Sequence, residues 1–505
     1  MTDPMPTVVE PPKNIVIIGA GPAGLTAAYE LSKHNITGTI LEGDSVVGGI
    51  ARTVVREGYR FDLGGHRFFT KVKEIENLWD EMLGEPMLIR PRTTRILYDG
   101  KFYDYPLRPW NALRNMGVVK AASCVLSYFK ARLFPIHNPK NFEQWVTNQF
   151  GKKLFNMFFK SYTEKVWGCP CSEIGADWAA QRIKGLSLGK AVWGAICGTN
   201  KRGGKIIKTL IDEFKYPRQG PGQLWEACAK TVVQKQWKLN MQTRAGAIQW
   251  RDGRVVSVET RSADGTTAVI DCDQLMSTMP LRELLHALDP KPPAEICAAA
   301  SALAYRDFLI VAIVLDKPDL FPDNWVYIHS PSVRVGRIQN FGNWSPQMVP
   351  DPQTSCLGLE YFVFEEDDLW ASPDDKLIAL AFAELKAIGL LGKNTDALRL
   401  VKGFVMRVPK AYPVYDPGYV ERLNLIRGWI GRSITNLDCL GRNGQHRYNN
   451  QDHSMATALI AARNIALAEH RDPWAVNEDA EYHEIAETER QAPLIPMAVA
   501  RRAVT

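Results

Sequence analysis

A glycine-rich segment near the start of the chain sets the strongest limit on what the chain can fold into. Gly19, Gly21 and Gly24 form a GxGxxG run between an apolar segment, residues 14–18, and an apolar segment with helical spacing, residues 25–34. In such a strand–turn–helix unit the first glycine permits the tight turn, the second lets a pyrophosphate approach the backbone, and the third allows close helix–strand packing. The free N–H groups of the helix would face the anion. The segment therefore predicts a βαβ unit that binds a dinucleotide.

The residues that follow indicate which dinucleotide is bound. Glu42 lies at the end of a second predicted strand, residues 39–41, at the separation of about 20 residues where an acid meets the ribose hydroxyls. Gly48, Gly49 and Arg52 come next. They resemble the second glycine pair and the pyrophosphate-side arginine of FAD proteins of the glutathione-reductase-like superfamily. We therefore expect FAD rather than NAD.

Composition excludes several classes of protein. Of the 505 residues, 46% are hydrophobic and 23% are charged, which is typical of a folded globular protein. The formal net charge of +6 is mild, so we expect no nucleic-acid partner but local cationic sites for a small anion. The nine cysteines include no CxxC pair, so no metal site is predicted.

The hydropathy pattern argues against a transmembrane segment. The longest apolar stretch, residues 118–134, is interrupted by Lys120, Lys130 and Arg132, and a spanning helix needs about 18 or more consecutive apolar residues. Residues 1–13 are acidic and proline-rich rather than basic and then apolar, so they do not resemble a signal peptide. A cytoplasmic protein is the expectation.

The rest of the chain alternates strand and helix patterns. Further predicted helices are residues 72–83 ended by Gly84, a mainly helical block at 109–184, 222–233, 376–388 and 453–470. Further predicted strands are 95–98 and 101–103 around Asp99-Gly100, a meander with turns at 252–253 and 264–265, 275–278, 308–315, 356–364 and 437–440.

This order predicts an α/β fold class with a Rossmann-type FAD-binding domain and an interleaved substrate domain that contains helices and an antiparallel sheet. The predicted limits are 14–75, 215–290 and 400–470 for the FAD-binding domain, 76–214 for a mainly helical cap, 291–399 for a sheet-containing region, and 1–13 and 488–505 for the tails.

Six further motifs carry a family resemblance. They are Phe61-Asp-Leu-Gly-Gly-His66, Glu164-Lys-Val-Trp167, Tyr216-Pro-Arg-Gln-Gly-Pro-Gly222, Ser277-Thr-Met-Pro280, Gly441-Arg442 and Arg447-Tyr-Asn-Asn-Gln-Asp-His-Ser454. Together they resemble the UDP-galactopyranose mutases, especially the longer, eukaryotic-type ones, over about residues 14–470. The first 60 residues are also similar to amine oxidases, protoporphyrinogen oxidases and carotenoid desaturases, so they indicate FAD and no particular reaction.

The resemblance implies a pyranose–furanose mutase that acts on a nucleotide sugar without net oxidation or reduction. In that family N5 of the reduced flavin is the nucleophile at the anomeric carbon, so NADPH or NADH is a candidate reductant. The matching catalytic positions are His66 beside the flavin, Arg182 in the pocket, and Arg337 and Arg447 on the diphosphate.

The resemblance and the glycine motifs also assign binding residues. The cofactor set is Gly19, Gly21, Gly24, Glu42, Gly49, Arg52, Gly65, Gly441, Arg442, Asn450, Gln451 and Ser454. The substrate set is Tyr105, Arg108, Phe158, Thr163, Tyr327 and Tyr412. Arg108 and Thr163 stand where the family reads uracil with amide side chains, so the base of the nucleotide is left open. Residues 185–215 match a flap of the eukaryotic-type enzymes only in position.

Two other functions stay open at this level. One is an FAD-dependent oxidase or dehydrogenase of the amine oxidase and protoporphyrinogen oxidase type, for which we expect an apolar tunnel or an aromatic cage in place of paired arginines. The other is a flavoprotein without catalytic activity. The sugar, the electron donor and the oligomeric state are left open as well.

Overall fold

The computed structural model describes residues 12–105, 107, 109–176, 213–392 and 397–476, with only the backbone given for 109 and 110. Several predictions fall on other residues. Arg108, Arg182, residues 1–11 of the predicted N-terminal tail, the predicted C-terminal tail and most of the predicted flap lie outside the described residues.

The described strands, in chain order, are β1 (Ile15–Ile18), β2 (Gly38–Leu41), β3 (Thr53–Arg56), β4 (Tyr59–Asp62), β5 (Leu88–Pro91), β6 (Thr94–Tyr98), β7 (Lys101–Asp104), β8 (Glu213–Tyr216), β9 (Lys238–Asn240), β10 (Thr243–Arg251), β11 (Arg254–Ser262), β12 (Thr267–Asp271), β13 (Gln274–Ser277), β14 (Leu288–Asp289), β15 (Tyr305–Leu315), β16 (Trp325–Ile328), β17 (Arg337–Asn340), β18 (Ser355–Val363), β19 (Leu400–Pro413) and β20 (Leu437–Cys439).

The described α-helices are α1 (Pro22–Lys33), α2 (Lys73–Leu83), α3 (Pro109–Met116), α4 (Val118–Leu133), α5 (Phe142–Phe150), α6 (Lys152–Phe155), α7 (Ser161–Trp167), α8 (Gly222–Gln234), α9 (Leu281–Ala287), α10 (Ala294–Ser301), α11 (Phe341–Trp344), α12 (Asp368–Ala371), α13 (Asp374–Ala387), α14 (Tyr419–Ser433), α15 (Gly441–Gly444) and α16 (Gln451–Leu467). A π-helical segment, Asn156–Lys160, joins α6 to α7.

The first sheet contains five parallel strands in the order β20-β13-β1-β2-β9. Its central strand β1 is apolar and fully buried, because a parallel sheet is covered on both faces. Helix α1 packs against α8 and α16, and Trp79 and Trp225 complete the core beside them. The strands come from distant parts of the chain, so both the βα turn after β1 and the start of α16 reach the same region.

The second sheet contains seven strands in the order β19-β15-β18-β17-β16-β6-β7, and it is antiparallel except where β16 pairs with β6. All eleven residues of β15 are buried. In the register of the central strands, Arg337 on β17 is paired with Tyr327 on β16 and with Glu360 on β18. This register brings a cation, a phenol and a carboxyl group onto neighbouring strands. The short strands β16 and β17 were not among the predicted elements.

A helical layer formed by α4 to α7 covers the end of the second sheet. Its core is aromatic and includes Phe142, Phe155 and Phe158, which pack with Tyr103 of β7 and with Trp167.

The predicted hairpin is present, since β6 pairs with β7 in antiparallel fashion. At its turn Asp99 and Gly100 have positive φ angles, of 52° and 67°, as a tight two-residue hairpin turn requires.

The predicted fold class is confirmed, since a Rossmann-type parallel sheet is combined with helices and a largely antiparallel second sheet. The other predicted helices and strands that lie on described residues are present within a few residues of their predicted ends. Gly84 has a φ of 72° and ends α2 as predicted. Among the described residues no helix is long and apolar enough to cross a membrane.

Candidate active site

A cavity of about 570 Å³ lies between the two sheets. Its walls come from segments far apart in the chain: the turn after β1, the segment from 42 to 52, the loop from 63 to 69, strands β16 and β17, the end of β19, and the segment from 441 to 454. A cleft of this size is typical of a small-molecule or cofactor site.

The turn after β1 forms a cradle at one end of the cavity. Gly19 has a φ of 99°, and a Cβ at Gly24 would lie 1.9 Å from the Gly19 carbonyl oxygen. Gly21 and Gly49 face each other, since a Cβ at Gly21 would lie 3.8 Å from Gly49 Cα. Both line the cavity at the point where α1 begins. This bare backbone with a helix N-terminus fits a pyrophosphate.

Glu42 lies beside this cradle. Its Oε2 accepts a hydrogen bond from the Ala20 N–H at 2.7 Å, and its Oε1 accepts one from the Asp44 N–H at 2.8 Å. Desolvation raises the pKa of the Glu42 carboxyl above its usual value despite these bonds. Arg52 forms an ion pair with Asp44 at the cavity wall. A carboxylate can accept further hydrogen bonds, so Glu42 is placed to bind ribose hydroxyls.

The N-terminus of α16 forms the opposite end of the cavity. Asn450 caps this helix together with His453, and Asn450, Gln451 and Ser454 all line the cavity. The indole of Trp225 donates a hydrogen bond of 3.0 Å to Gln451 Oε1, which fixes the Gln451 side chain. The positive end of the helix dipole therefore points into the cavity. With a pyrophosphate cradle at one end and this helix at the other, the described residues fit FAD.

Arg442 supplies a cation near α16. It donates hydrogen bonds to the main-chain carbonyls of Asn449, at 2.9 Å, and Ala411, at 3.0 Å. Its guanidinium lies 5.4 Å from the ring of Tyr412 and 4.7 Å from the ring of Tyr448. These rings stack on each other with centroids 5.7 Å apart. Arg442 is therefore held rigidly against the cavity that it lines.

His66 lies on a loop that faces the same cavity, directly after Gly64 and Gly65. Its ring is half-buried, and its shielded Nδ1 has no hydrogen-bond partner among the described residues. Desolvation, together with the positive charges of Arg442 and Arg337, lowers the pKa of His66 to about 3. A neutral imidazole with an unused ring nitrogen is suited to a hydrogen bond with a bound ligand.

The low pKa of His66 predicts a change in acid stability when the residue is replaced. The folded protein keeps the ring neutral down to about pH 3, whereas the unfolded chain takes up a proton below about pH 6.5. His66 therefore lowers stability as the pH falls through this window, by up to about 1.4 kcal/mol per pH unit. We expect the free energy of unfolding of His66→Gln to fall less steeply than that of the wild type as the pH is lowered. Urea titrations of both flavin-free proteins at several pH values measure this dependence. Equal slopes for the two proteins would contradict the prediction.

Arg337 is another cation of the cavity wall. Its Nε donates a hydrogen bond of 2.5 Å to Glu360 Oε2, and Glu360 also accepts one of 2.5 Å from Gln339 Nε2. Burial raises the pKa of the Glu360 carboxyl. Burial alone would lower the pKa of Arg337, but the Glu360 carboxylate holds it well above its usual value. Cβ atoms at Gly64 and Gly65 would lie 3.9 Å from Arg337 Nη2 and 3.8 Å from Nη1. The ends of the guanidinium therefore face the His66 loop.

The predicted substrate residues divide into two groups. Tyr327 and Tyr412 line the cavity, and Tyr105 packs on Tyr327 with ring centroids 5.2 Å apart. Phe158 instead packs edge to face on Tyr103 at 5.0 Å, in the core of the helical layer. Thr163 is buried on α7 and does not belong to the cavity wall. Tyr327 and Tyr412 thus line the site, Tyr105 contacts it only through Tyr327, and Phe158 and Thr163 are not part of the cavity lining.

The structure does not bring Arg447 to the cavity. Its Nη1 donates hydrogen bonds to the main-chain carbonyls of Trp474, at 2.5 Å, and Val476, at 3.2 Å. Its guanidinium also lies 5.9 Å from the Trp474 ring. These contacts hold the last described segment onto the parallel-sheet domain. Arg442 lines the cavity in this part of the chain, whereas Arg447 is not among the described lining residues. The role of Arg447 on a diphosphate stays a prediction from the resemblance.

Some residues of the cavity were not predicted from the sequence. They are Arg67, Phe69, Trp79, Phe308, Trp325, Trp344 and Tyr448, among others. Tyr448 lies within a motif that the resemblance had already marked, and Arg67 directly follows the motif that ends at His66. Glu360, which orients Arg337, was also not predicted, because its position opposite Arg337 follows only from the pairing of β17 with β18.

Comparison with known proteins identifies a family. The family model described as flavin containing amine oxidoreductase matches residues 22–402. Over 176 residues the chain is 28% identical to the Klebsiella pneumoniae protein named Probable UDP-galactopyranose mutase, which is 33% of this chain and 44% of that protein. Over 121 residues it is 32% identical to an L-amino acid oxidase of Crotalus durissus cumanensis, which is 20% of this chain and 24% of that protein. The chain thus spans less than half the length of these curated relatives.

Solved structures resemble the chain over most of its length. The crystal structure of a reduced UDP-galactopyranose mutase has a TM-score of 0.79 at 23% identity, and the match covers 93% of this chain and 98% of that one. A wild-type putrescine oxidase bound to putrescine has a TM-score of 0.59 at 14% identity, covering 90% and 98%. At these identities the two structures establish the fold.

Proposed function

We propose that this chain, which belongs to the family of flavin-containing amine oxidoreductases, is a flavin-dependent pyranose–furanose mutase that acts on a nucleotide sugar. The observation that carries the proposal is the wall of the cavity, where Arg337, Arg442 and the neutral ring of His66 face the same space. This wall offers charge and hydrogen bonds to an anionic, hydroxyl-rich substrate. An apolar tunnel would offer neither.

The residues that line the cavity are suited to hold FAD. Glu42 and the glycine cradle would hold the ribose and the pyrophosphate, and the start of α16 would hold the isoalloxazine. When bound in its reduced form, FAD would supply the nucleophile for the anomeric carbon. The helix dipole of α16 and the charge of Arg442 favour negative charge on a group bound there.

We assign the binding of the leaving diphosphate to Arg337. Its Nε is used by Glu360, so the two Nη groups stay available for a pair of phosphate oxygens. The ion pair fixes the plane of the guanidinium before substrate binds. Preorganised donors of this kind stabilise charge that develops on a leaving group. Glu360 is thus a positioning residue and Arg337 a substrate-binding one.

The sugar hydroxyls would be oriented by the phenols of Tyr327 and Tyr412. Burial raises the pKa of Tyr412, so its hydroxyl keeps its proton and can both donate and accept a hydrogen bond. His66, which stays neutral at physiological pH, can make a hydrogen bond to the flavin or to the sugar without adding charge. These groups position the open and closed forms of the sugar while the cavity limits access of water.

The amine oxidase type of reaction is the second candidate, because aromatic rings also line the cavity. Tyr412 and Tyr448 stack with an interplanar angle of 12°, and Trp325 and Trp344 stack nearby. A cationic amine in this space would meet the positive charges of Arg337 and Arg442, and like charges in a cavity repel strongly. We therefore favour the mutase over an oxidase of cationic amines.

The direct test separates these candidates. The full-length FAD-loaded protein is reduced anaerobically with dithionite, NADPH or NADH and incubated with UDP-, GDP- and dTDP-hexopyranoses. We expect chromatography to show a furanose product while the flavin spectrum stays reduced and no reductant is consumed beyond the first reduction. If no furanose forms, and amines or amino acids reduce the flavin and release hydrogen peroxide in air, the oxidase is correct. If neither reaction occurs, the protein is a flavoprotein without either catalytic activity.

A further inference from the structure

Helix α4 exposes an apolar stripe on the surface. Val118, Leu126 and Leu133 are 85%, 70% and 73% exposed, and Phe129 between them is 54% exposed. With Val125 they repeat at helical spacing along one side, whereas the opposite side buries Ala121, Cys124 and Ala131. We call these five exposed residues the α4 face. Single exposed apolar residues are ordinary, but a continuous row of this kind marks an interaction surface.

The chain segment that contains the α4 face is rich in basic residues, of which Lys120 is paired with Asp99 at 3.3 Å. Residues 105–142 contain six of the 61 Lys and Arg residues and none of the 55 Asp and Glu residues, so this segment has a formal charge of +6. Lys130 and Arg132 lie on α4 itself, next to Phe129 and Leu133. The described residues of this segment therefore combine an exposed apolar helix face with an excess of basic residues.

We propose that the α4 face docks onto the surface of an anionic lipid bilayer. A helix with an apolar row flanked by Lys and Arg lies in the plane of a membrane, with the apolar side chains among the acyl chains and the cations at the headgroups. Basic side chains beside the apolar row are attracted to anionic headgroups, and salt screens this attraction. The inference concerns a surface apart from the cavity and does not depend on the reaction proposed for it.

A second copy of the chain fits the α4 face less well. A twofold interface places the same patch on both partners, so the basic segment would face itself. Like charges across an interface cost binding energy, and residues 105–142 hold no carboxylate to offset them. An anionic bilayer supplies the opposite charge together with an apolar layer.

Sedimentation with lipid vesicles tests the proposal on the full FAD-loaded protein. The probes are vesicles of phosphatidylcholine alone and vesicles with about 30 mol% phosphatidylglycerol. We expect binding to the anionic vesicles at least about tenfold stronger than to the neutral ones, and weaker binding as salt is raised. Failure to bind the anionic vesicles at low salt would overturn the proposal.

Two paired variants locate the binding surface. Leu126→Ser/Phe129→Ser should weaken vesicle binding at least about tenfold, because two deeply inserted apolar side chains are lost. The matched control Val269→Ser/Leu467→Ser changes two exposed apolar residues on other elements and should bind as the wild type does. Both variants should keep the wild-type flavin content. Equal binding by both variants would overturn the assignment to α4.

Size-exclusion chromatography with light scattering distinguishes the competing partner. If the wild-type protein is a dimer that Leu126→Ser/Phe129→Ser converts to a monomer, and vesicles are not bound, the α4 face is an interface between copies and the proposal is wrong. A mass that is the same for wild type and variant, together with loss of vesicle binding in the variant alone, supports the bilayer.

Discussion

Replacing Arg337 with methionine will lower kcat/KM for the nucleotide sugar by about a thousandfold while FAD stays bound. The guanidinium faces the cavity and is held in place by Glu360, so under the proposed function it is preorganised for the leaving diphosphate. Loss of one preorganised donor to developing negative charge costs about 10²- to 10³-fold in rate, and Arg337 has two Nη groups and a full charge to offer. Steady-state kinetics on the reduced enzyme, with flavin absorbance as the measure of cofactor content, give both values.

A matched arginine and a partner variant make this result specific. Arg334 precedes the same strand and pairs with the exposed Asp368, so Arg334→Met should leave kcat/KM within about threefold of wild type, as expected for a surface ion pair. Glu360→Gln keeps the shape of the positioning group but removes its charge, and it should lower kcat/KM less than Arg337→Met does. If Arg337→Met and Arg334→Met behave alike, Arg337 does not bind the substrate.

The cofactor half of the site could be predicted from the sequence because its information is local. The glycines of the first turn act through the backbone of a single βα unit, and each requires only its own position between β1 and α1. Glu42 follows at the end of the next strand of the same unit. Their role is fixed by spacing that a linear sequence displays directly.

The substrate half of the site depends on long-range register. Arg337 meets Glu360 only because β17 and β18 pair with those two residues opposite each other. A shift of the register by one residue would turn the side chains to the opposite face. No local pattern encodes this choice, so the sequence pointed to Arg337 through a family resemblance and gave no sign of Glu360.

Helical segments show the same limit. Phe158 lies in a π-helical segment between α6 and α7, which changes the direction of the side chains relative to a regular α-helix. Its ring therefore packs on Tyr103 in the apolar core. A sequence motif shows that an aromatic residue is present. The wider turn of the π-helix determines the direction of its ring.

The two arginines of the C-terminal motifs show that a motif does not determine the direction of a side chain. Arg442 and Arg447 are five positions apart and both belong to motifs marked by the resemblance. The end of the short helix α15 separates them, and the backbone N–H of Arg447 bonds back to the carbonyl of Arg442. Arg442 then lies against Tyr412 and the cavity. Arg447 points instead to the carbonyls of Trp474 and Val476.

We therefore expect different effects when each of these arginines is replaced with methionine, one on the flavin potential and one on the stability of the fold. Arg442→Met removes a positive charge from the cavity wall, which should destabilise the reduced, more negative flavin by about 2 kcal/mol. For a two-electron couple this shifts the midpoint potential down by about 40 mV and lowers the ratio of reduced to oxidised flavin at equilibrium by about 30-fold. Spectroelectrochemical titration of the FAD-loaded protein measures the potential directly.

Arg447→Met should instead weaken the fold. It removes two hydrogen bonds from a charged donor to main-chain carbonyls, each worth about 1.5 to 3 kcal/mol, so the melting temperature should fall while the midpoint potential of the bound flavin stays at the wild-type value. The pair of variants separates a charge that acts on the cofactor from a charge that only holds the chain together. A shift in potential in Arg447→Met, with none in Arg442→Met, would reverse the assignment and return Arg447 to the active site, because only a charge at the cavity can act on the flavin at this strength.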